Sequence, residues 1–156
     1  MTKRTRFAAL AAAFIALSLT TAAARIPGVS TGTKKPTITV YKDPACGCCK
    51  NWIAYLQKHG YTVDAKDSPN MSEIKHSLGV PDGLTACHTA VVNGYLIEGH
   101  VPAEDIDRLL SQKPTVAGIG VPGMPMGSPG MDGGVKQHYQ VLSFDRKGKT
   151  KVFASH

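Results

Sequence analysis

The chain opens on Lys3, Arg4 and Arg6, runs through an unbroken weakly apolar stretch from Phe7 to Leu19, and passes Ala22-Ala23-Ala24 before Arg25. A basic start, an apolar middle and an A-x-A site make a secretory signal peptide over residues 1–24, cut after Ala24. The apolar run is short for a membrane span, so no membrane insertion is expected after cleavage. Residues 25–36, rich in Gly, Thr, Lys and Pro, read as a flexible leader. Thr37-Ile38-Thr39-Val40-Tyr41 then alternates and is β-branched, which predicts a strand. Cys49, Trp52, Ile53 and Leu56 repeat at helical spacing up to a stop at Gly60. Tyr61-Thr62-Val63-Asp64 predicts a second strand. Asn70 with Glu73 resembles a capping box, and Met71, Ile74 and Leu78 mark the helix behind it, ended by Gly79.

Thr89-Ala90-Val91-Val92, the turn pair Asn93-Gly94 and Tyr95-Leu96-Ile97-Glu98 predict a hairpin. Pro102 opens a third helix, with Glu104 and Asp105 at its positive end and Ile106, Leu109 and Leu110 on its apolar face. The order is β-α-β-α-β-β-α. Seventeen residues from Gly118 to Gly134 then break every period and read as a structureless Gly/Pro/Met loop, a length that is usually functional or disordered. Tyr139–Phe144 and Lys151-Val152-Phe153 flank Asp145-Arg146-Lys147-Gly148 and predict a terminal hairpin. The expected domain runs from residue 37 to residue 156.

At 156 residues and 42% hydrophobic, the chain supports one core; 6% aromatic residues make that core aliphatic and small. The formal charge of +7 suggests nucleic acid, but it falls to +4 once Lys3, Arg4 and Arg6 leave with the signal peptide. No Lys/Arg-dense stretch interleaved with aromatics remains, so nucleic-acid binding is excluded. The implied compartment is oxidising, a bacterial periplasm, and each cysteine has to be considered as a redox group.

There are four cysteines: Cys46, Cys48, Cys49 and Cys87. Three crowd a strand-to-helix turn, where orphan backbone N–H groups and the helix dipole stabilise thiolates. The thiolate is both the nucleophile and the metal ligand. Cys46 and Cys49 form a CxxC in a βαβ setting, the signature of thioredoxin-like redox proteins, and the element order agrees with that fold. Cys48 is surplus to such an enzyme, and a free thiol beside a disulfide is prone to exchange.

For metal, adjacent residues at a helix start point about a hundred degrees apart, so Cys48 and Cys49 do not easily clasp one ion. Three sulfurs on one turn and a fourth from Cys87 favour a multinuclear thiolate cluster, and soft sulfur ligands select Cu(I). Zinc stays open, although the paired spacing of structural zinc sites is absent. Cys87-His88 stands where a thioredoxin-like fold brings a loop against the CxxC turn. Met124, Met126 and Met131 lie in the Gly/Pro loop, where methionine has no core to fill. His100 reads equally as a ligand or as a histidine bonded to backbone at a helix start. His59, His76, His138 and His156 read as surface residues, and Trp52 as core.

At Cys46-Gly47-Cys48-Cys49, Cys87-His88-Thr89-Ala90, Glu98-Gly99-His100-Val101-Pro102 and the run from Pro122 to Met131, the chain resembles the CopG-like family of exported copper-resistance proteins. The resemblance covers about Thr37 to Met131, and four motifs in one order are specific where any one alone is weak. It implies a thioredoxin-like fold carrying a multinuclear copper–thiolate cluster. Cys46, Cys48, Cys49 and Cys87 would be its sulfur core, with His88, Met124 and Met131 as candidate outer ligands. Met126 falls where the family pattern does not demand methionine.

The function expected is periplasmic copper binding in copper resistance, by storage, buffering or a change of copper oxidation state, coupled to copper export or oxidase proteins. The enzymatic alternative is a thiol–disulfide oxidoreductase using Cys46 and Cys49. It lacks the proline that commonly precedes the third strand of such enzymes. A zinc- or disulfide-stapled interaction module is a third class.

Overall fold

β-Branched alternation and helical apolar spacing place the elements of the chain in the expected order. The computed structural model describes residues 34–156; the expected signal peptide and most of the expected leader lie outside the described residues. The elements are β1 (Thr37–Lys42), α1 (Gly47–Lys58), β2 (Thr62–Asp67), α2 (Met71–Leu78), β3 (His88–Val92), β4 (Tyr95–Glu98), α3 (Ala103–Gln112), β5 (Gly118–Gly120), β6 (Gln140–Phe144) and β7 (Thr150–Ser155), with a 3-10 turn at Asp82–Leu84. Through α3 this is the expected β-α-β-α-β-β-α order.

All seven strands join one sheet in the order β2-β1-β3-β4-β5-β6-β7. β1 runs parallel to β2 and antiparallel to β3, and β3 and β4 form the hairpin expected at Asn93-Gly94. Alternation along the strands separates two cores. Ile38, Val40, Ala90, Val92, Ile97 and Val121 meet Trp52 and Leu56 of α1 and Ile106 and Leu109 of α3. A smaller cluster of Val80, Leu84, Leu96 and Phe144 packs on residues from the end of α2 onward.

The stretch from Gly118 to Gly134 is not structureless throughout. Its first three residues are β5, parallel to β4 and antiparallel to β6. A strand of two glycines around one isoleucine carries almost no β signal in sequence. The glycine is required by close approach: a Cβ on Gly118 would lie 2.1 Å from the Leu96 carbonyl oxygen. Through β5 the terminal hairpin extends the main sheet.

Three local expectations change. Cys46 is the N-cap, so α1 begins at Gly47, two residues before the apolar period shows. Asn70 caps α2 without a side-chain bond to its backbone; its amide meets the Glu73 carboxylate instead of forming a reciprocal capping box. The buried residue of α2 is Lys75, between half-buried Met71, Ile74 and Leu78. Among the described residues no helix is long and apolar enough to cross a membrane.

Candidate metal centre

The turn from β1 into α1 is built by short polar links. Asp43 Oδ1 accepts the Ala45 N–H at 2.7 Å and the Asp43 carbonyl accepts the Cys46 N–H at 3.1 Å. Cys46 Sγ, at the N-cap, accepts the Cys49 N–H at 3.3 Å. A sulfur thus takes the place usually held by a Ser or Asp oxygen, on a helix with no acidic residue in its first turn. The exposed amides and positive dipole end are left to the sulfurs.

Four sulfurs meet there. The Sγ atoms of Cys46, Cys48, Cys49 and Cys87 all lie within 4.8 Å of one another. Cys46 and Cys49 are joined as a disulfide, whereas Cys48 and Cys87 are free thiols. Cys48 Sγ is 3.4 Å from Cys46 Sγ and 3.6 Å from Cys87 Sγ. Cys49 is fully buried, and the other three are half-buried. Burial pushes the Cys87 thiol up to about 11; its hydrogen bond with Cys48 and repulsion from Cys48 add to the rise, and Lys75 opposes it. Metal-free Cys87 is therefore protonated at neutral pH, and a metal ion has to displace that proton.

The expected outer ligands separate. Met124 Sδ sits 2.6 Å from Cys87 Sγ, reaching in from the Gly/Pro loop. Met131 engages the loop through its backbone, its N–H donating to Ser128 O and its carbonyl accepting from Gly127. Met126 is tied through its backbone to Gln137. His88 and His100 stand outside the four-sulfur group. His88 follows Cys87 at the start of β3, so its ring turns to the opposite face of the sheet. There it lies between Trp52 (ring centroids 4.4 Å apart) and His100 (4.9 Å).

Neither ring nitrogen of the buried His88 has a hydrogen-bond partner. Burial first, then His100 and Lys75, hold its pKa well below the ordinary value, so the ring is neutral. The His100 Nδ1–H donates to Pro129 O at 2.8 Å, which leaves Nε2 as the unpaired lone-pair nitrogen of a ring whose pKa burial also lowers. His156, expected at the surface, is half-buried and binds Asp105 Oδ2 at 2.7 Å through Nε2; His59, His76 and His138 are exposed.

The loop bearing Met124 is pressed onto α1. Gly130 has φ +83°, and a Cβ there would lie 2.7 Å from the Trp52 backbone nitrogen and 3.0 Å from the Cys48 carbonyl oxygen. Trp52 in turn donates its indole N–H to Val101 O at 2.9 Å, binding α1 to the segment that carries His100.

A family model described as "Protein of unknown function, DUF411" matches residues 84–131, the span from the Cys87 loop through Met131. Two solved structures, described as copper resistance protein copG, form 2 and form 1, each superpose with a TM-score of 0.74 at 43% sequence identity, over 78% of this chain and 98% of theirs. The chain belongs to the CopG family of copper resistance proteins. No curated protein matches it.

In this CopG-family chain one group of site residues escaped sequence reasoning. Lys75 Nζ lies 2.5 Å from Glu98 Oε1 and donates to Thr89 Oγ1 at 2.8 Å, and Thr89 donates to Glu98 Oε2 at 2.6 Å. Glu98 Oε1 also accepts the Ala86 N–H at 2.7 Å, next to Cys87. A signal was present: Lys75 lies on the helical stripe of Met71 and Leu78, where a charge demands a buried partner.

Proposed function

We propose that this protein binds copper in an extracytoplasmic, periplasmic setting, holding several Cu(I) ions on the thiolates of Cys46, Cys48, Cys49 and Cys87 when all four are reduced. The observation that carries this is the meeting of four sulfurs within 4.8 Å from two separate elements. Such a soft donor set suits Cu(I), and its closeness suits thiolates that bridge neighbouring ions. The Met124 thioether, against Cys87, is the first candidate outer ligand. His88 and Met131 would join only through rearrangement. The N-terminal sequence supports export. The β-α-β-α-β-β-α order, with a CxxC at the start of α1, supports a thioredoxin-like assignment of the fold. The family's tie to copper resistance supports copper as the cargo, and export or oxidase proteins are the onward partners proposed for it.

The test is anaerobic titration of fully reduced protein with Cu(I), with bound ions counted by elemental analysis. More than one ion per chain is expected, with loss of capacity in Cys48→Ser/Cys49→Ser. Binding that the double substitution leaves unchanged would overturn the proposal. A second function, thiol–disulfide exchange by Cys46 and Cys49, is favoured by their bond at a helix N-terminus. Rapid insulin reduction by metal-free protein would support it.

A further inference from the structure

The four sulfurs are not equivalent. The disulfide removes the thiolates of Cys46 and Cys49, and the thiolate is the metal-binding form of cysteine. It leaves untouched a second set: two free thiols, Cys48 and Cys87, with the Met124 sulfur against Cys87. We propose that the Cys46–Cys49 bond sets the metal capacity of the protein: closed, it leaves a one-ion, three-sulfur site of Cys48, Cys87 and Met124 for a soft monovalent cation; open, it yields the site for several ions. The inference rests on the proposed copper binding and adds its control.

Two of these three sulfurs, those of Cys87 and Met124, are held independently of the disulfide. Cys87 belongs to a loop fixed by Glu98 through the Ala86 N–H, and Glu98 is itself fixed by Lys75 and Thr89. Met124 belongs to a loop anchored by Gly130 on α1 and by Pro129 O on His100. Cys48 follows the N-cap by two residues, about a hundred degrees around the helix from buried Cys49, and meets Cys87 rather than the core. The three ligands thus come from three separate elements; the bond spans Cys48 on α1, whereas the Cys87 and Met124 loops are held by contacts apart from it. A thiolate pair with a thioether is a donor set selective for Cu(I). The cysteine that is surplus to a CxxC enzyme acquires a role in both states.

Opening takes two electrons from a dithiol reductant. One reductant thiolate attacks a sulfur of the pair and forms a mixed disulfide, releasing the other cysteine as thiolate. The second reductant thiol, deprotonated, then displaces the first cysteine, so the reductant ends as a cyclic disulfide and Cys46 and Cys49 as two thiols. Closing is the reverse, with an acceptor disulfide as oxidant.

The test compares one protein in two forms, disulfide-closed and dithiol-reduced, each verified by the number of iodoacetamide adducts. Both are equilibrated anaerobically with Cu(I) acetonitrile against a chromogenic Cu(I) chelator, freed of excess and analysed for copper. The expected result is one ion per chain in the closed form and more than one in the open form. Bound copper in the closed form should block alkylation of both Cys48 and Cys87. Cys46→Ser/Cys49→Ser should keep the one-ion count under reducing conditions, and Cys48→Ser should abolish binding in the closed form. Equal counts above one in the two forms, or none when closed and several when open, overturn the inference while leaving the copper cluster standing. No more than one ion in either form overturns both.

Discussion

Lys75 and Glu98 form an ion pair beneath the sheet, their side chains 9% and 0% exposed. Through Glu98 the pair reaches the Ala86 amide and so the cysteine that follows it. Removing one partner of a buried pair strands the other charge and costs about 3–5 kcal/mol. Lys75→Met is therefore expected to lower stability by about that amount in urea unfolding. Lys75→Met/Glu98→Gln should recover part of the loss, because no charge is then left alone. In the double variant Cys87 should alkylate faster than in the parent, because the loop before it has lost the Glu98 carboxylate that anchors it. Unchanged alkylation would show that Glu98 serves stability only.

Acid should weaken the fold through His88. Burial lowers its pKa in the folded state, with His100 and Lys75 reinforcing the shift, whereas the unfolded chain takes up the proton near the ordinary value of about 6.5. Below that pH the unfolded state binds more protons, so stability falls as pH falls, by up to about 1.4 kcal/mol per pH unit from this one group. Between pH 7 and pH 5, His88→Leu should show a shallower decline than the parent, by about one proton. His100, lowered in the same direction, leaves a residual slope in the variant. Parallel pH profiles for parent and variant would contradict the assignment of the acid sensitivity to His88.

The sequence was informative where chemistry and period coincide. Cys46, Cys48, Cys49 and Cys87 announced one site because a CxxC at a helix start calls for a partner loop, and the hairpin strand after Cys87 placed that loop. Met124 was legible because methionine in a Gly/Pro stretch has no core to fill. His88 was harder. Its neighbour Cys87 suggested a shared site, but a strand sends successive side chains to opposite faces, and His88 went to the core. β5 was illegible because it is two glycines around one isoleucine, and Gly118 answers a close backbone approach, which carries no β propensity. The Lys75–Glu98 link was hidden because it joins a helix to a strand 23 residues away.

Cys87 should react slowly as a free thiol. Its pKa, raised to about 11, leaves little thiolate at neutral pH. In metal-free, disulfide-closed protein, its rate of iodoacetamide modification, followed by peptide mass spectrometry, should still be climbing at pH 10. Cys48→Ser removes the neighbouring sulfur that contributes to the shift, so the rise should move to lower pH without reaching that of an unburied cysteine, since burial is the larger cause. Copper binding at Cys87 should release a proton, measurable as acidification of weakly buffered solution. A plateau in the modification rate below pH 9 would refute the raised pKa.

Gly130 is where the methionine loop depends on the helix that bears the cysteines. Its φ of +83° disfavours any side chain, and a Cβ would collide with the backbone of Trp52 and Cys48, which cannot yield as a flexible side chain can. Gly123, in the same loop, has φ +68° but open space around its Cβ position. The two alanine variants therefore separate strain from collision. Gly123→Ala should cost about 1–2 kcal/mol, the left-handed penalty alone. Gly130→Ala should cost more and also lift the loop from α1, weakening the hold on Met124. Cu(I) affinity of the closed form, measured by chelator competition, should drop in Gly130→Ala to the level of Met124→Leu and stay near the parent value in Gly123→Ala. Equal affinities for both alanine variants would mean that loop seating on α1 does not position Met124, and that its contact with Cys87 is set by the residues nearer to it.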